Sequence, residues 1–197
     1  MARSVGAGDP SEEAASDWAL VSRSVEGDER AFTELYERHA PALSRRLLRM
    51  LGRPDEVSDV MQVTFLELHR ALERYEADRP FGAWLHGFAY FVAARHLKAK
   101  RRRWWLRSGS DLELDGARAP TSSPEDQAGQ RAAVRAVYAI LDTLPAKKRL
   151  AFTMHVFEGM TLTEIGELTG DSPQTVRARV ESAREKIQKR MGSGAKS

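Results

Sequence analysis

The densest chemistry in this sequence is a run of positive charge from Arg95 to Arg107 that contains no acidic residue. Trp104 and Trp105 lie at its end, and further aromatic residues precede it from Tyr75 onward. Cations beside aromatic rings suit a nucleic acid, because bases stack on the rings while the cations follow the phosphates. The competing interpretation is a solvated helix end, whose cations serve only the terminal carbonyl groups.

A second candidate site lies near the C-terminus, where two helical patterns flank a short turn that contains Gly170. Thr161 and Glu164 fit a capping box at the start of the first helix, and Ser172 with Pro173 fits the start of the second. This arrangement predicts a helix-turn-helix, whose second helix enters the major groove of DNA. An ordinary helical hairpin is the alternative. The residues predicted to face DNA are Gln174, Thr175, Arg177, Arg179, Glu181, Ser182 and Arg184.

Composition excludes several classes of function. The chain of 197 residues contains no cysteine, which excludes disulfides, thiolate chemistry and cysteine-based zinc sites. The five histidines show no metal-ligand spacing, and no phosphate-binding loop or hydrolase motif is present, so we expect neither a metal, a cofactor nor an enzyme. No apolar run is long enough to cross a bilayer and the N-terminus lacks a secretory signal, so we expect a cytoplasmic protein.

Helices must position these residues, because apolar residues recur at spacings of three and four and no strand pattern occurs. We therefore predict an all-α protein with two small helical domains and a linker. Asp28 fits the N-cap of a helix that ends near Leu51, with a kink or break at Pro41. The predicted divisions are a disordered tail over 1–16, a first domain over 17–107, a flexible acidic linker over 108–127, a second domain over 128–192 and a tail over 193–197.

Residues 54–76 give the clearest helical pattern, with one apolar face and one polar face. The polar face carries Asp59 and Gln62, and most faces of this kind simply meet water. We also expect most of the aromatic residues before the basic run, Trp84 and Phe88 in particular, to lie in the core.

Three stretches carry a resemblance to a known family. DVMQVTFLELHRAL (59–72) resembles region 2.2 of the extracytoplasmic-function (group 4) sigma factors of bacterial RNA polymerase. FGAWLHGFAYFVAARHLKAKRRR (81–103) resembles their regions 2.3 and 2.4, and residues 144–187 resemble region 4. The order and spacing of the stretches also agree, and the resemblance covers residues 17–191.

The resemblance implies a sigma factor that binds core RNA polymerase, through its β and β′ subunits, and promoter DNA. Asp59 and Gln62 match the motif that docks on the β′ coiled coil. The second domain would read the −35 element as duplex, and an anti-sigma factor commonly holds such proteins inactive. The first domain would open the −10 element and hold a flipped base, through Tyr75, Phe91, Arg95, Lys98, Arg101, Arg102 and Arg103.

The sequence departs from the family pattern at three places. Val63 stands where an acidic residue is usual, and Phe91 stands where a subgroup has a base-contacting asparagine, which indicates stacking or a different −10 preference. Glu181 and Ser182 replace larger residues; Glu181 could accept a hydrogen bond from cytosine N4 or pair with a neighbouring arginine. The alternatives are a helix-turn-helix regulator that acts without polymerase, and an RNA-binding or scaffold protein that uses the basic run.

Overall fold

The structure is a computed structural model that describes residues 10–108 and 127–194 of the chain. Within these ranges the backbone forms eight α-helices and one short 3-10 helix, and no strand, which confirms the predicted all-α fold. The helices are α1 (Pro10–Val25), α2 (Glu29–Leu51), α3 (Pro54–His69), the 3-10 helix (Leu72–Arg74), α4 (Phe81–Ser108), α5 (Gln127–Asp142), α6 (Ala146–Phe157), α7 (Leu162–Thr169) and α8 (Pro173–Gly194).

Helix α1 begins at Pro10, although the sequence predicted a tail as far as residue 16. Proline and glutamate are both favoured in the first turn of a helix. This signal was missed because residues 10–16 have no apolar pattern. Asp17 then ties α1 to α2: it accepts a hydrogen bond from Arg38 at 2.7 Å and lies 2.9 Å from Nε2 of His39. Residues 1–9 lie outside the described part of the chain.

Helix α2 is continuous from Glu29 to Leu51, so the predicted break at Pro41 does not occur. Pro41 and Glu37 are both exposed, and water can therefore satisfy the carbonyl group that the proline leaves without a partner. The predicted N-cap is confirmed, because the Asp28 carboxylate accepts hydrogen bonds from the first turn.

Helix α3 is shorter than predicted, since it ends at His69 and the chain continues through the 3-10 helix. Its buried face packs on α2 and α4, and Phe65 and Leu68 lie within the core. Trp84 and Phe88 of α4 are half-buried against the same core, as predicted.

Helices α5 to α8 form the second group, in which α6 and α7 pack on α8 through Val176 and Val180. The two groups also pack on each other, because Met154 and Ile165 belong to the same buried cluster as Leu85 of α4. The predicted linker lies almost entirely outside the described residues, as do residues 195–197.

Candidate nucleic-acid and protein-docking interfaces

Helix α3 presents an exposed stripe formed by Asp59, Gln62, Val63 and Leu66, which we call the α3 stripe. Asp59 precedes Gln62 and Val63 by three and four residues, and Leu66 follows them by four and three, so these side chains lie on one face. Val63 is 40% exposed and Leu66 is 49% exposed, so the two side chains form a small apolar patch beside the polar groups of this face. Because the stripe combines a carboxylate and an amide with aliphatic groups and carries no cation, it suits a protein partner better than phosphates.

Helix α4 presents a different exposed stripe, formed by Phe91, Arg95, Lys98 and Arg102, which we call the α4 stripe. Its spacings of four, three and four residues keep the side chains in line over roughly 16 Å of helix. The ring of Phe91 is 52% exposed and stands edge-on against the buried ring of Tyr90, with 5.1 Å between centroids. An aromatic ring is thus held at one end of a row of cations.

The cations of the α4 stripe are available to an anion. Arg95 forms an ion pair with Glu67 while its side chain remains 60% exposed. Exposed pairs contribute only ~0–1 kcal/mol, so a phosphate can replace Glu67. Among the residues whose side chains the structure describes, none forms an ion pair with Lys98, Arg101, Arg102 or Arg103.

Lys100 belongs to the basic run but not to this open surface. It donates a hydrogen bond to Glu56, whose other oxygen lies 2.8 Å from Nε2 of His96. Burial alone would raise the pKa of Glu56, but the bonds from His96 and Lys100 outweigh it and lower that pKa to about 2. Lys100 is therefore neutralised within the fold, through a contact across 44 residues that no local pattern predicts.

Tyr75 lies in the core, although the sequence analysis grouped it with the residues that contact DNA. Its side chain is 9% exposed, and its hydroxyl group donates to the carbonyl of Arg79 at 2.8 Å. The ring packs against Phe81 and Trp84, with centroids 5.5 and 5.2 Å away. Burial also raises the pKa of this hydroxyl group. Tyr75 thus fixes the loop that precedes α4, because its ring packs against the start of that helix and its hydroxyl group holds a carbonyl group of the loop.

The turn between α7 and α8 has the geometry predicted for a helix-turn-helix. Thr161 and Glu164 form the predicted capping box, and Ser172 Oγ accepts from the amide of Thr175 at 3.2 Å. Gly170 ends α7 with φ +71°, a conformation that favours glycine. A Cβ at Gly166 would lie 2.7 Å from the carbonyl oxygen of the turn, so the close approach of the turn to α7 requires glycine there.

Helix α8 exposes Gln174, Arg177, Glu181 and Arg184 along one line, which we call the α8 face. Their spacings of three, four and three residues keep them on one exposed face, separate from the buried stripe that packs on α6. In the described part of the chain no ion pair joins Glu181 to Arg177 or Arg184, so its carboxylate remains open to a donor. Thr175 is also exposed, and its hydroxyl group lies 2.9 Å from that of Ser172.

Two residues predicted to face DNA brace the second domain instead. Arg179 donates from both terminal nitrogens to Asp171, with one bond of 2.9 Å, and its side chain is only 18% exposed. This bond lowers the pKa of Asp171 and raises that of Arg179. Ser182 accepts from Lys148 of α6 at 2.8 Å. Arg179 therefore locks the turn, and Ser182 joins α8 to α6.

The described residues contain no group of three or more metal-ligating side chains close enough to hold a metal ion. In the same ranges, none of the helices combines the length and the apolar character needed to cross a membrane.

Comparison with known proteins identifies the family. Residues 35–103 match the family described as Sigma-70 region 2, and residues 134–187 match the one described as Sigma-70, region 4. The ECF RNA polymerase sigma-E factor of Escherichia coli (strain K12) is 30% identical over 177 residues, which cover 87% of this chain and 92% of the relative. The chain belongs to the extracytoplasmic-function sigma factors. The α3 and α4 stripes of this sigma factor lie within the first match, and its α8 face lies within the second.

Further relatives agree with this assignment. The ECF RNA polymerase sigma-E factor of Haemophilus influenzae is 28% identical over 181 residues, covering 89% of this sigma factor and 95% of the relative. Among solved structures, CnrH in complex with the cytosolic domain of CnrY has a TM-score of 0.54 at 24% identity, covering 90% of this chain and 98% of that chain. RpoE of Bartonella quintana in complex with the anti-sigma factor NepR also has a TM-score of 0.54, at 18% identity, over 80% of this chain and 94% of that chain. These structural likenesses show the shared fold.

Proposed function

We propose that this sigma factor docks on core RNA polymerase through the α3 stripe and directs it to promoters through two different DNA contacts. The α4 stripe holds one strand of the opened −10 element, and the α8 face reads the −35 element as duplex. The observation that carries the proposal is the α4 stripe, in which an exposed ring stands in line with cations that a phosphate can reach. The protein acts in the cytoplasm, has no catalytic role and needs no cofactor.

The docking contact combines charge with apolar burial. Asp59 and Gln62 supply the polar groups toward the β′ coiled coil, with the β subunit contacted elsewhere in the assembly. Val63 replaces a usual acidic residue and, with Leu66, adds aliphatic surface whose burial stabilises the complex. The interface therefore depends less on charge than one with two carboxylates would.

At the −10 element, Phe91 stacks on an unpaired base and the cations beside it follow the phosphates of the same strand. Arg95, Lys98 and Arg102 lie in line with the ring, while Arg101 and Arg103 extend the positive surface to either side of that line. Tyr75 contributes by fixing the loop that leads into α4, since its hydroxyl group holds the carbonyl of Arg79.

At the −35 element, the α8 face supplies groups that match base edges in the major groove. Arg177 pairs with guanine, Gln174 pairs with adenine, and Glu181 accepts from cytosine N4. Arg184 and Thr175 position the helix on phosphates. Arg179 and Ser182 support this contact from within the domain, through the turn and through α6.

An anti-sigma factor is a candidate partner, because a protein of the same fold from Bartonella quintana was solved in complex with one. Such a partner would bind over one or more of the three surfaces above, and would therefore compete there with core polymerase or with promoter DNA.

Copurification with core RNA polymerase tests the proposal. Asp59→Arg combined with Gln62→Arg should weaken core binding ~tenfold or more. The double change places two positive charges where the proposed contact has a carboxylate, so they would repel the surface that this carboxylate complements. A matched control is Glu185→Arg with Gln188→Arg, which makes the same change in charge at the same spacing on an exposed part of α8. Failure of the wild-type chain to bind core, with retained duplex binding, would favour a polymerase-independent regulator.

A further inference from the structure

Helix α4 ends in an aromatic pair to which the proposed function gives no role. Trp104 and Trp105 follow the basic run directly, and the helix continues past them to Ser108. The match to Sigma-70 region 2 ends at residue 103, so membership of the family assigns no contact to either tryptophan. Trp105 is 46% exposed, and Leu106 beside it is 79% exposed. Because a tryptophan carries a large apolar surface, one that a helix holds out in solvent is a candidate contact residue.

Trp105 continues the line of the α4 stripe. It follows Arg102 by three residues and Lys98 by seven, so the alternating spacings of four and three residues extend to it. Its position differs from that of Phe91 by 14 residues, which corresponds to a rise of about 21 Å along the helix. The same 14 residues leave the two side chains within about 40° of each other around the helix axis. The row of exposed cations therefore has an exposed ring at each end.

The two exposed rings are supported in the same way. Tyr90 precedes Phe91 and stands edge-on to it, with 5.1 Å between centroids and 74° between ring planes. Trp104 precedes Trp105 and stands edge-on to it, at 5.8 Å and 84°. In both pairs the first ring is the less exposed one, since Tyr90 lies in the core and Trp104 is half-buried. Such contacts favour one orientation of the exposed ring, and a single neighbour leaves at least one of its faces uncovered.

The charge around the tryptophan pair indicates which ligand it suits. The 28 residues of α4 include no aspartate or glutamate, and Arg102 and Arg103 beside the pair are exposed. Rings add little to the binding of a simple anion, and a row of cations adds little to a purely apolar contact. A single nucleic-acid strand uses both, because its bases stack on rings while its phosphates follow the cations.

We propose that Trp105 is a second base-stacking residue of this sigma factor, which holds an unpaired base at the far end of the strand that Phe91 and the α4 cations bind. This inference rests on the proposed function, because it extends the single-strand contact of the α4 stripe. The strand runs along α4, its phosphates face the exposed cations, and one base stacks on each terminal ring. Trp104 is a positioning residue, which orients the ring of Trp105.

The distance between the two rings determines how much of the strand is held. Successive phosphates of a stacked strand are about 3.4 Å apart, so the rise of about 21 Å corresponds to about six nucleotides, and to fewer if the strand is stretched. An oligonucleotide that reaches both rings should therefore bind more tightly than one that reaches only Phe91. The affinity of the wild type should rise in a step as the oligonucleotide is lengthened, and Trp105→Ala should lack this step.

Removal of single bases from the DNA tests the contact directly. Binding of holoenzyme to a single-stranded −10 non-template oligonucleotide is measured with each nucleotide in turn replaced by an abasic site. The wild type should lose about tenfold in affinity at the nucleotide that stacks on Phe91 and at the one that stacks on Trp105. Phe91→Ala should be insensitive at the first of these nucleotides and Trp105→Ala at the second, because a base without its ring has no stacking to lose. The two nucleotides should lie no more than about six positions apart.

Further replacements of Trp105 separate stacking from apolar contact. Trp105→Phe keeps a ring and should retain most of the affinity for the single strand. Trp105→Leu keeps an apolar side chain without a ring, so it should lose about tenfold, as Trp105→Ala does. Trp18→Ala is the matched control, because Trp18 of α1 is 50% exposed and lies outside the α4 stripe; it should leave binding unchanged. Each change is made at an exposed side chain, so every variant should fold and bind core polymerase as the wild type does.

The outcomes separate this inference from the proposed function. If Phe91→Ala weakens single-strand binding and Trp105→Ala does not, the second stacking residue is wrong while the −10 contact stands. Retained binding by Trp105→Leu would replace stacking with an apolar contact, and a loss of core binding by Trp105→Ala with unchanged DNA binding would make Trp105 a polymerase contact; either result overturns the inference. If wild-type holoenzyme does not bind the single strand, the proposed −10 contact fails and the inference fails with it.

Discussion

The two helices proposed to contact DNA, α4 and α8, are both basic, yet they distribute charge differently. In α4 the exposed cations form a row with no acidic residue between them, and an exposed ring stands at one end. In α8 an exposed carboxylate, Glu181, stands between Arg177 and Arg184, and no aromatic residue accompanies them. A row of cations with a ring suits phosphates and unpaired bases, whereas alternating donors and acceptors suit the edges of paired bases.

Positive charge alone therefore does not define a candidate DNA contact. Lys100 and Arg179 are cations in these same two helices, but Glu56 and Asp171 neutralise them within the fold. The cations proposed to contact DNA are those that have no ion-pair partner among the described residues or have one that is easily exchanged.

The largest expected effect comes from neutralising the basic run of α4. Replacing Arg101, Arg102 and Arg103 by Gln should remove up to three phosphate contacts, which lowers the salt slope of promoter binding by about 2. At 0.1 M salt this corresponds to a loss of roughly hundredfold in affinity. Binding titrations across salt concentrations check it, and an unchanged slope would remove the phosphate role from α4.

Arg177→Ala should weaken binding of the −35 duplex about thirtyfold, as expected for loss of one bidentate base contact worth ~2 kcal/mol. The loss should depend on the base sequence of the −35 element, unlike the loss in α4. Binding to core polymerase should not change. A loss that is equal on all duplex sequences would reassign Arg177 to the phosphates.

Acid should destabilise the first domain through His86. Burial lowers its pKa to about 4 from 6.5, so the unfolded chain takes up the proton first as the pH falls. Stability is therefore lost progressively between these two values, by about 2 kcal/mol from pH 7.5 to pH 5. All four tryptophans lie within residues 17–107, the predicted first domain, so their fluorescence during urea unfolding reports this domain.

His86→Phe should remove that pH dependence while keeping the site filled. Glu56 provides an internal reference, because its contribution is lost only as the pH falls from 4.5 towards 2. Loss of stability above pH 7 would contradict the assignment to His86.

The smallest effect is expected for Arg179→Ala, because its guanidinium group is paired with Asp171 of the turn. Losing the partly exposed pair with Asp171 should cost the second domain about 1 kcal/mol of stability. Binding of the −35 duplex should weaken only in proportion to the unfolded fraction of the domain, and the preference among −35 sequences should not change. A changed preference among −35 sequences would return Arg179 to the α8 face.

Local signals in the sequence predicted much of this fold. The N-cap at Asp28, the capping box at Thr161 and the turn at Gly170 each act within a few residues, and all three occur as expected. Helical spacing also predicted the buried stripes. The exposed residues that now form the α4 stripe and the α8 face were predicted from charge and motif.

What the sequence could not predict depends on contacts between distant residues. Tyr75 is buried because Phe81 and Trp84 surround it. Arg149 stands beside two lysines in a basic stretch. Nothing local shows that it donates to the carbonyl group of Met50, 99 residues earlier in the chain. Val63 and Leu66 are apolar residues that tertiary packing leaves exposed.

The most direct test of the two DNA contacts is a double comparison on holoenzyme, with promoters first selected by run-off transcription and sequencing. Binding of a single-stranded −10 non-template oligonucleotide and of a −35 duplex is measured for Phe91→Ala and Arg177→Ala. We predict that Phe91→Ala loses ~1–3 kcal/mol on the single strand and none on the duplex, and that Arg177→Ala shows the reverse. Equal losses on both DNAs for either variant would contradict the division of labour between α4 and α8.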